Sequence, residues 1–498
     1  MRDIAFLGLF LVALALTFNR IPLCIQLWAW VSLLAPNSVL YGIGAGIPYN
    51  KVIAGMTLLT LLASREKKSF HGDRTSVLII CFLCLAVLSQ FNSDSYQTTG
   101  WDILDKFWKI VVLNLLISSF MGSRVRLHML VLTVCFAVGF VGAGDGLKFL
   151  VSGGSYREPG NPAWGDNNHA ALIFLMTIPM LAYIREMSVV PLVRLGTLIG
   201  IILFVCGVIS TSSRGGFVGL IILAIAGILE SRHKIRYSLA VIALGAALSQ
   251  AVSDSWTTRM NTLETAGEDN SFMGRVVAWK MSTLIALHHP LLGGGLHAVQ
   301  SPNIWNAYLP EFGRLSFIPT DEPTERPRAA HSIYFEVLGD TGFLGLAVFL
   351  AIIASSLWTG VQVRLLARGH PDLQWAARLA GKLQLSLVIF LVCGAALSAS
   401  YNDMNFILFG MLSAVLRIVL VETGRQAAPG GALRPAGGAE FAAEAFAAEA
   451  QPRAPSLAPS RTPPLAQRAF GTPRATRLRR DGLSAPDPRQ GQAPGPPF

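Results

Sequence analysis

Charged residues are scarce in this chain of 498 residues: Asp, Glu, Lys and Arg make up 14% of it, whereas hydrophobic residues make up 52%. A typical soluble protein carries about 25% charged residues, because its surface must stay hydrated. The deficit argues against a cytosolic enzyme and against a nucleic-acid-binding domain. It predicts an all-α, polytopic integral membrane protein.

Cysteine is also rare, and every cysteine lies in an apolar stretch rather than in a long polar loop. This placement predicts no disulfide framework. Cys81 and Cys84 form a C-x-x-C pair, but no nearby His or acid completes a metal site, so we interpret both as small hydrophobic packing residues. The six cysteines are Cys24, Cys81, Cys84, Cys135, Cys206 and Cys393.

Long apolar runs recur down to about residue 421. A helix needs about 20 such residues to cross a bilayer, and the runs predict 12 or 13 transmembrane helices. Both counts stay open, as does the side of the N-terminus, because the two runs beside Arg20 can form two spans or a shallow hairpin. We expect no cleavable signal peptide, since the runs continue without a small-residue cleavage site. The runs cover 4–18, 21–35, 48–63, 75–90, 101–120, 127–149, 169–184, 192–210, 214–230, 236–251, 333–358, 381–399 and 402–421.

Basic residues alternate between successive loops: one set of loops holds 15 Lys and Arg residues, and the alternate set holds two. Because basic residues collect on the cytoplasmic side, the first set is predicted to be cytoplasmic and the second to lie outside. The basic loops are 64–74, 121–127, 185–194, 230–236 and 359–382, and the alternate loops are 91–100, 150–168, 211–214 and 400–403.

The chain is therefore predicted to divide into four parts. Residues 1–251 form the N-terminal transmembrane helices, 252–332 a large outer loop with helical segments, and 333–421 the C-terminal transmembrane helices. Long loops in compact proteins are usually functional. Residues 422–498 form an Ala/Pro/Arg-rich cytoplasmic tail that is predicted to be disordered, since such a composition buries too little apolar area. Its basic residues are expected to contact anionic lipid headgroups.

Two polar segments at the predicted outer ends of helices stand out in the N-terminal half. Arg157 and Asn168 lie just before the apolar run at 169–184; Asp166 to Asn168 can cap the next helix, but a cap does not explain Arg157. Arg214 lies between two apolar runs with almost no loop, where a charge is costly unless it is paired or faces water. The alternatives for Arg214 are a ligand contact and an arginine that snorkels to the interface.

Two further segments belong to the large loop. Arg275, with Trp279 and Lys280, opens an amphipathic helix, which is either an interfacial helix with a solvated basic face or part of a binding site. His331 stands where the chain re-enters the membrane, followed by Glu336 and Asp340 one helical turn apart. Its alternatives are a structural histidine and a base that titrates near neutral pH.

These residue types together indicate one chemistry. Arginines at a membrane boundary suit a phosphate or diphosphate, which guanidinium binds bidentately, and a histidine suits deprotonation of a hydroxyl. The combination predicts glycosyl transfer from a lipid diphosphate. We predict no metal, because His288, His289 and His297 lack a convincing second pair of ligands. We also predict no cofactor and no nucleic-acid partner; the glycines at 293–295 lack the spacing of a phosphate loop.

The four segments together resemble the O-antigen ligase and polymerase superfamily, whose members are polytopic and carry a large periplasmic loop near the C-terminal third. The resemblance covers roughly residues 1–421, and the first ~60 residues resemble the O-glycosylation ligases associated with exosortase A systems. The residues that carry it are Arg157 and Asn168; Ser213, Arg214 and Gly215; Arg275 and Trp279; and His331, Ser332, Gly339 and Gly342.

The resemblance implies a metal-independent, inverting transfer of a glycan from an undecaprenyl-diphosphate donor, in the inner membrane of a bacterium, with the active face in the periplasm. Arg214 and Arg275 would bind the diphosphate, with Arg157 and Asn168 as further substrate-binding residues, and His331 would activate the acceptor hydroxyl. The acceptor is a lipid, a protein or a glycan; the last would make the protein a polysaccharide polymerase.

A flippase or transporter of lipid-linked sugars is the competing hypothesis. Such a protein would place broken helices and ionisable groups near the middle of the bilayer, within paired repeats. The chain shows no internal repeat, and Asp145 and Lys148 form the only deep charged pair that the sequence predicts.

Overall fold

The computed structural model describes residues 2–64, 70, 72–93, 98–160, 164–251, 270–315, 320 and 326–424. Within these ranges the regular structure is helical, with no β-strand. The all-α prediction is confirmed. The predicted tail from residue 425 onward, and residues 252–269 of the predicted loop, lie outside the described residues.

The described part of the chain contains sixteen α-helices. Short 3-10 stretches join some of them, at Gly42–Gly46, Ala298–Gln300, Leu309–Leu315 and Pro371–Leu373. The helices are α1 Arg2–Thr17, α2 Ile21–Leu34, α3 Pro36–Val39, α4 Tyr49–Ala63, α5 Arg74–Phe91, α6 Thr98–Phe120, α7 Arg124–Val151, α8 Asn167–Met187, α9 Pro191–Ser210, α10 Arg214–Glu230, α11 Lys234–Ala251, α12 Asn270–His288, α13 Pro302–Tyr308, α14 Ile333–Leu366, α15 Gln374–Gly394 and α16 Asp403–Glu422.

Seven helices of the described residues are long and apolar enough to cross a membrane: α5, α7, α8, α9, α14, α15 with its preceding 3-10 turn, and α16. Three shorter apolar helices, α1, α2 and α4, coincide with the first three apolar runs. The chain is a multi-pass membrane protein, as predicted. The count of 12 or 13 spans stays a prediction.

The bundle has an enclosed centre and an apolar periphery. Helices α8 and α16 are the most enclosed, with 72% and 83% of their apolar windows buried, whereas α9 has only 22% buried. Leu195 and Ile199 of α9 and Ile221 and Ile225 of α10 are exposed. Apolar side chains directed outward suit contact with lipid, which does not penalise them.

Helix α14 is broken near its start. Gly342 has a φ of 70° and a ψ of −170°, and a Cβ at this position would lie 2.6 Å from the carbonyl oxygen of Pro290. Beyond the break, the Phe343 N–H donates to that same oxygen at 2.9 Å. Only glycine allows both the conformation and the close approach. The segment 343–366 alone exceeds the roughly 20 residues that a span needs, so the apolar run at 333–358 contains two helical parts.

Candidate active site

The turn between α9 and α10 sets the position of Arg214. Ser212 adopts a positive φ of 53°, and the Ser213 hydroxyl accepts a hydrogen bond of 3.1 Å from the Gly216 N–H, which caps α10. A Cβ on Gly216 would lie 3.2 Å from the Ala171 side chain of α8, so glycine lets the two helices approach closely. Arg214 is therefore the first residue of a capped helix packed against α8.

The loop after α7 lies against this same turn. The Arg157 guanidinium donates to the Ser212 hydroxyl, and the Glu158 N–H donates to the Ser210 carbonyl at 3.1 Å. The structure thus places Arg157 beside the turn that leads into Arg214, although the two residues are far apart in the chain.

The chain neighbours of Arg157, Tyr156 and Glu158, belong to a polar network that includes the buried Asp145. The Tyr156 hydroxyl oxygen lies 2.9 Å from Asp145 Oδ1 and 3.2 Å from Glu158 Oε2, within hydrogen-bond distance of both. Burial and the neighbouring Asp145 raise the pKa of Glu158 to about 7. The buried acids are therefore held by this network, and Lys148 adds a 2.8 Å ion pair to Asp145.

The start of α8 is a helix cap. Asp166 Oδ1 accepts from the N–H groups of Asn168 at 2.9 Å and His169 at 3.1 Å, and Asn168 Nδ2 donates to Asp166 Oδ2 at 3.1 Å. Asn167 Nδ2 donates to the Thr211 carbonyl at 2.6 Å, which ties the cap to the α9–α10 turn. The structure therefore gives Asn168 a capping contact, one of the two interpretations of this segment.

His169 is a site residue that the sequence did not single out as functional. Its Nδ1 lies 2.8 Å from Asp166 Oδ1, and its Nε2 lies 2.7 Å from the carbonyl oxygen of Ser398, between α15 and α16. A carboxyl oxygen and an imidazole nitrogen this close need a proton between them. Burial raises the pKa of Asp166, but hydrogen bonds from His169 and Asn168 outweigh it and hold that pKa below its usual range.

Helix α12 holds the backbone just before His331. Trp279 donates from Nε1 to the Ala330 carbonyl at 2.7 Å, and its ring stacks on Phe335 with centroids 5.0 Å apart. His331 itself is partly buried and has a positive φ of 43°. These contacts place the imidazole at the entry of α14, beside the α12 turn that carries Arg275.

The electrostatics of His331 show which charges surround it. Burial lowers the pKa of His331 below its ordinary value of 6.5, and the nearby charge of Arg275 lowers it further. Asp166 acts in the opposite direction and raises it, whereas His169 lowers it. The structure therefore brings His331, Arg275 and the Asp166–His169 pair within electrostatic range of one another.

The two acids after His331 are held by other residues. Ser400 donates its hydroxyl to Glu336 at 2.6 Å, and Tyr401 donates to Asp340 at 3.1 Å. Both acids line a small cavity of about 10 Å³, together with His297, Ala330 and Ser398 among others. Because this volume holds about one water molecule, we interpret the acids as support for the fold rather than as ligand contacts.

The other histidines of the predicted loop have separate partners. His288 Nε2 lies 2.8 Å from Glu311, His289 Nε2 lies 2.8 Å from the Tyr308 hydroxyl, and His297 contacts Gln300 at 3.5 Å. Among the residues that the structure describes, no three His, Cys, Asp or Glu side chains could hold a metal ion together.

Two family models match the chain. Residues 199–350, which include Arg214, Arg275 and His331, match the model described as O-Antigen ligase. Residues 1–195, which include Arg157 and Asn168, match a family of unknown function. No curated protein matches the chain. The first match supports a membrane enzyme of the ligase or polymerase type.

Proposed function

We propose that the protein is a metal-independent membrane glycosyltransferase. It transfers a glycan from a polyprenyl-diphosphate donor to an acceptor hydroxyl on the periplasmic face of a bacterial inner membrane. The observation that carries the proposal is that His331 lies within electrostatic range of Arg275 and Asp166. The cap that Asp166 forms is tied through Asn167 to the turn before Arg214.

The chemistry needs one base and one group of cations. His331, in its neutral form, takes the proton of the acceptor hydroxyl. The acceptor oxygen then forms a bond to the anomeric carbon of the glycan, and the bond between that carbon and the diphosphate oxygen breaks on the opposite face. The products are the glycosylated acceptor and the polyprenyl diphosphate, so the reaction balances without a cofactor.

The arginines stabilise the leaving group. Guanidinium binds phosphate oxygens bidentately, and charge that develops on the diphosphate as the bond breaks strengthens this interaction. We assign Arg214 and Arg275 to the diphosphate, with Arg157 as a third cation next to the same turn. Asn168 contributes by holding the cap, and through it the carboxylate of Asp166.

The acceptor is a protein hydroxyl, as the resemblance to exosortase-associated O-glycosylation ligases implies, or a lipid or a second glycan. Deleting the gene and comparing glycoproteins, lipopolysaccharide and secreted polysaccharide side by side distinguishes these. Loss of glycan from proteins alone indicates a protein O-glycosylation ligase, and shortened polysaccharide indicates a polymerase.

A flippase for the same lipid would move the donor without forming a bond. Purified protein in detergent, given labelled donor and acceptor, should therefore produce a new glycosidic bond if the proposal holds. Failure to do so in detergent, together with donor movement across vesicles, would favour the flippase.

Orientation in the membrane gives a direct test. We expect Gly313→Cys to react with a membrane-impermeant maleimide in intact cells with a permeable outer membrane, because Gly313 is exposed with open space around it. His233→Cys, in the exposed turn between α10 and α11, should react only after lysis. Labelling of both from outside would contradict the periplasmic placement of the site.

The pH dependence of transfer should report His331. Transfer needs the neutral imidazole, so the rate should be present above the His331 pKa and fall as the pH drops through it. Burial and Arg275 lower that pKa below 6.5 in the free protein, so the acidic limb of kcat/KM, which reports the free enzyme, should lie below this value. Since Arg275→Gln removes a positive charge, it should move the limb to higher pH. If the acidic limb of Arg275→Gln does not move, the charge of Arg275 does not act on His331.

A further inference from the structure

An arginine that the sequence did not single out lies beside the site. Arg328 is exposed, three residues before His331. Its guanidinium lies directly over Gly274 of α12, where a Cβ would overlap Nη1. Gly274 itself is buried and is the chain neighbour of Arg275. The guanidinium of Arg328 is therefore seated on the same helical turn that carries Arg275.

Arg328 has no hydrogen bond or ion pair with any other residue in the part of the chain that the structure describes. Exposed arginines often extend into solvent, but the guanidinium of Arg328 lies on α12 at Gly274, which has no side chain. The hydrogen bond from Trp279 to Ala330 holds the Arg328 segment against α12. Two like charges on one turn repel each other unless an anion lies between them.

We propose that Arg328 is a further binding residue of this site, which contacts the diphosphate of the polyprenyl-linked donor together with Arg275. This inference rests on the proposed function. A diphosphate presents two phosphate groups, each of which accepts a bidentate guanidinium contact. Gly274 is the positioning residue, because the absence of its side chain lets the Arg328 guanidinium reach this place.

The first test measures binding without transfer. Full-length protein in nanodiscs is titrated with a polyprenyl diphosphate that carries no sugar, and the Kd is compared across variants. Arg328→Ala should raise the Kd by about 10-fold, the lower end of what loss of charge-assisted hydrogen bonds produces. Arg326→Ala is the matched control, because Arg326 is an exposed arginine in the same segment; its Kd should change less than about 2-fold.

The second test uses Gly274. A methyl group there collides only with the far end of a flexible side chain, and alanine favours a helix more than glycine does. Gly274→Ala should therefore fold normally but raise the Kd by several-fold. In an Arg328→Ala background the same change should have no further effect, because the two substitutions act through one contact.

Each result has a definite meaning. If Arg326→Ala and Arg328→Ala raise the Kd equally, both arginines act only by long-range attraction of the diphosphate. This result would overturn the proposal. Additive effects of Gly274→Ala and Arg328→Ala would also overturn it. If Arg328→Ala raises the KM for the complete donor but leaves the Kd of the sugar-free diphosphate unchanged, the anion lies on the glycan or the acceptor, and the diphosphate contact is wrong. Binding that behaves as expected in a protein without transferase activity would contradict the proposed function alone.

Discussion

Replacing His331 by asparagine should lower the rate of glycosyl transfer by roughly 10²–10⁴-fold, the usual contribution of a general base. Asparagine is the better test residue than alanine, since His331 has a φ of 43° and asparagine tolerates this left-handed region. The variant should insert into the membrane at normal levels and bind the donor with nearly unchanged Kd, because the arginines make that contact. Initial rates with purified protein and the Kd of sugar-free polyprenyl diphosphate are the measurements.

The chain offers a matched control for this substitution. His297 has a φ of 66°, and burial likewise lowers its pKa, but it lies outside the proposed site. His297→Asn should retain most of the transfer activity. Near-normal turnover of His331→Asn, or a defect confined to the amount of protein, would refute the role of His331 as the base.

Substituting lysine for Arg214 should lower transfer by roughly 10–100-fold, since lysine keeps the charge but loses the fork that binds a phosphate bidentately. The fold should persist, because the α10 cap is made by the Ser213 hydroxyl and the Gly216 N–H rather than by Arg214. The loss should appear in kcat/KM for the donor, measured at fixed acceptor.

Arg232→Lys is the matched control for Arg214→Lys. Arg232 is an exposed residue just beyond the other end of α10, so its substitution should leave kcat/KM unchanged. Full activity of Arg214→Lys would indicate that Arg214 snorkels to the interface, and it would remove Arg214 from the diphosphate site.

The structure shows the surroundings of two predicted site residues, whose roles in the reaction stay predictions. Asn168, whose predicted contact with substrate stays a prediction, binds Asp166 through both its backbone N–H and its side chain. His331 was expected to be a histidine that titrates near neutral pH, and its surroundings lower its pKa. The causes differ: Asn168 belongs to a local helix cap, whereas burial, followed by the charge of Arg275, lowers the pKa of His331.

His169 shows why some site residues escape a sequence-based search. The Asp166–His169 spacing matches a helix cap, which is a common structural pattern, so it attracts no functional interpretation by itself. The second contact of His169 is with Ser398, which lies 229 positions further along the chain. A contact between residues so far apart is decided by how α8 packs against α15.

The sequence by itself determined the helical, multi-pass architecture, because long apolar runs in lipid must satisfy their backbone hydrogen bonds internally and helices do so. It also predicted Arg157, Arg214, Arg275 and His331 as candidate site residues, since charged and titratable groups at helix ends are costly; their roles stay predictions. Only the tertiary structure decided the break of α14 at Gly342 and the seat of Arg328 on Gly274. Each depends on close approach of a distant segment, of the Pro290 carbonyl in one case and of the Arg328 guanidinium in the other. Packing of that kind follows from the spatial arrangement of the helices, and local residue patterns do not predict it.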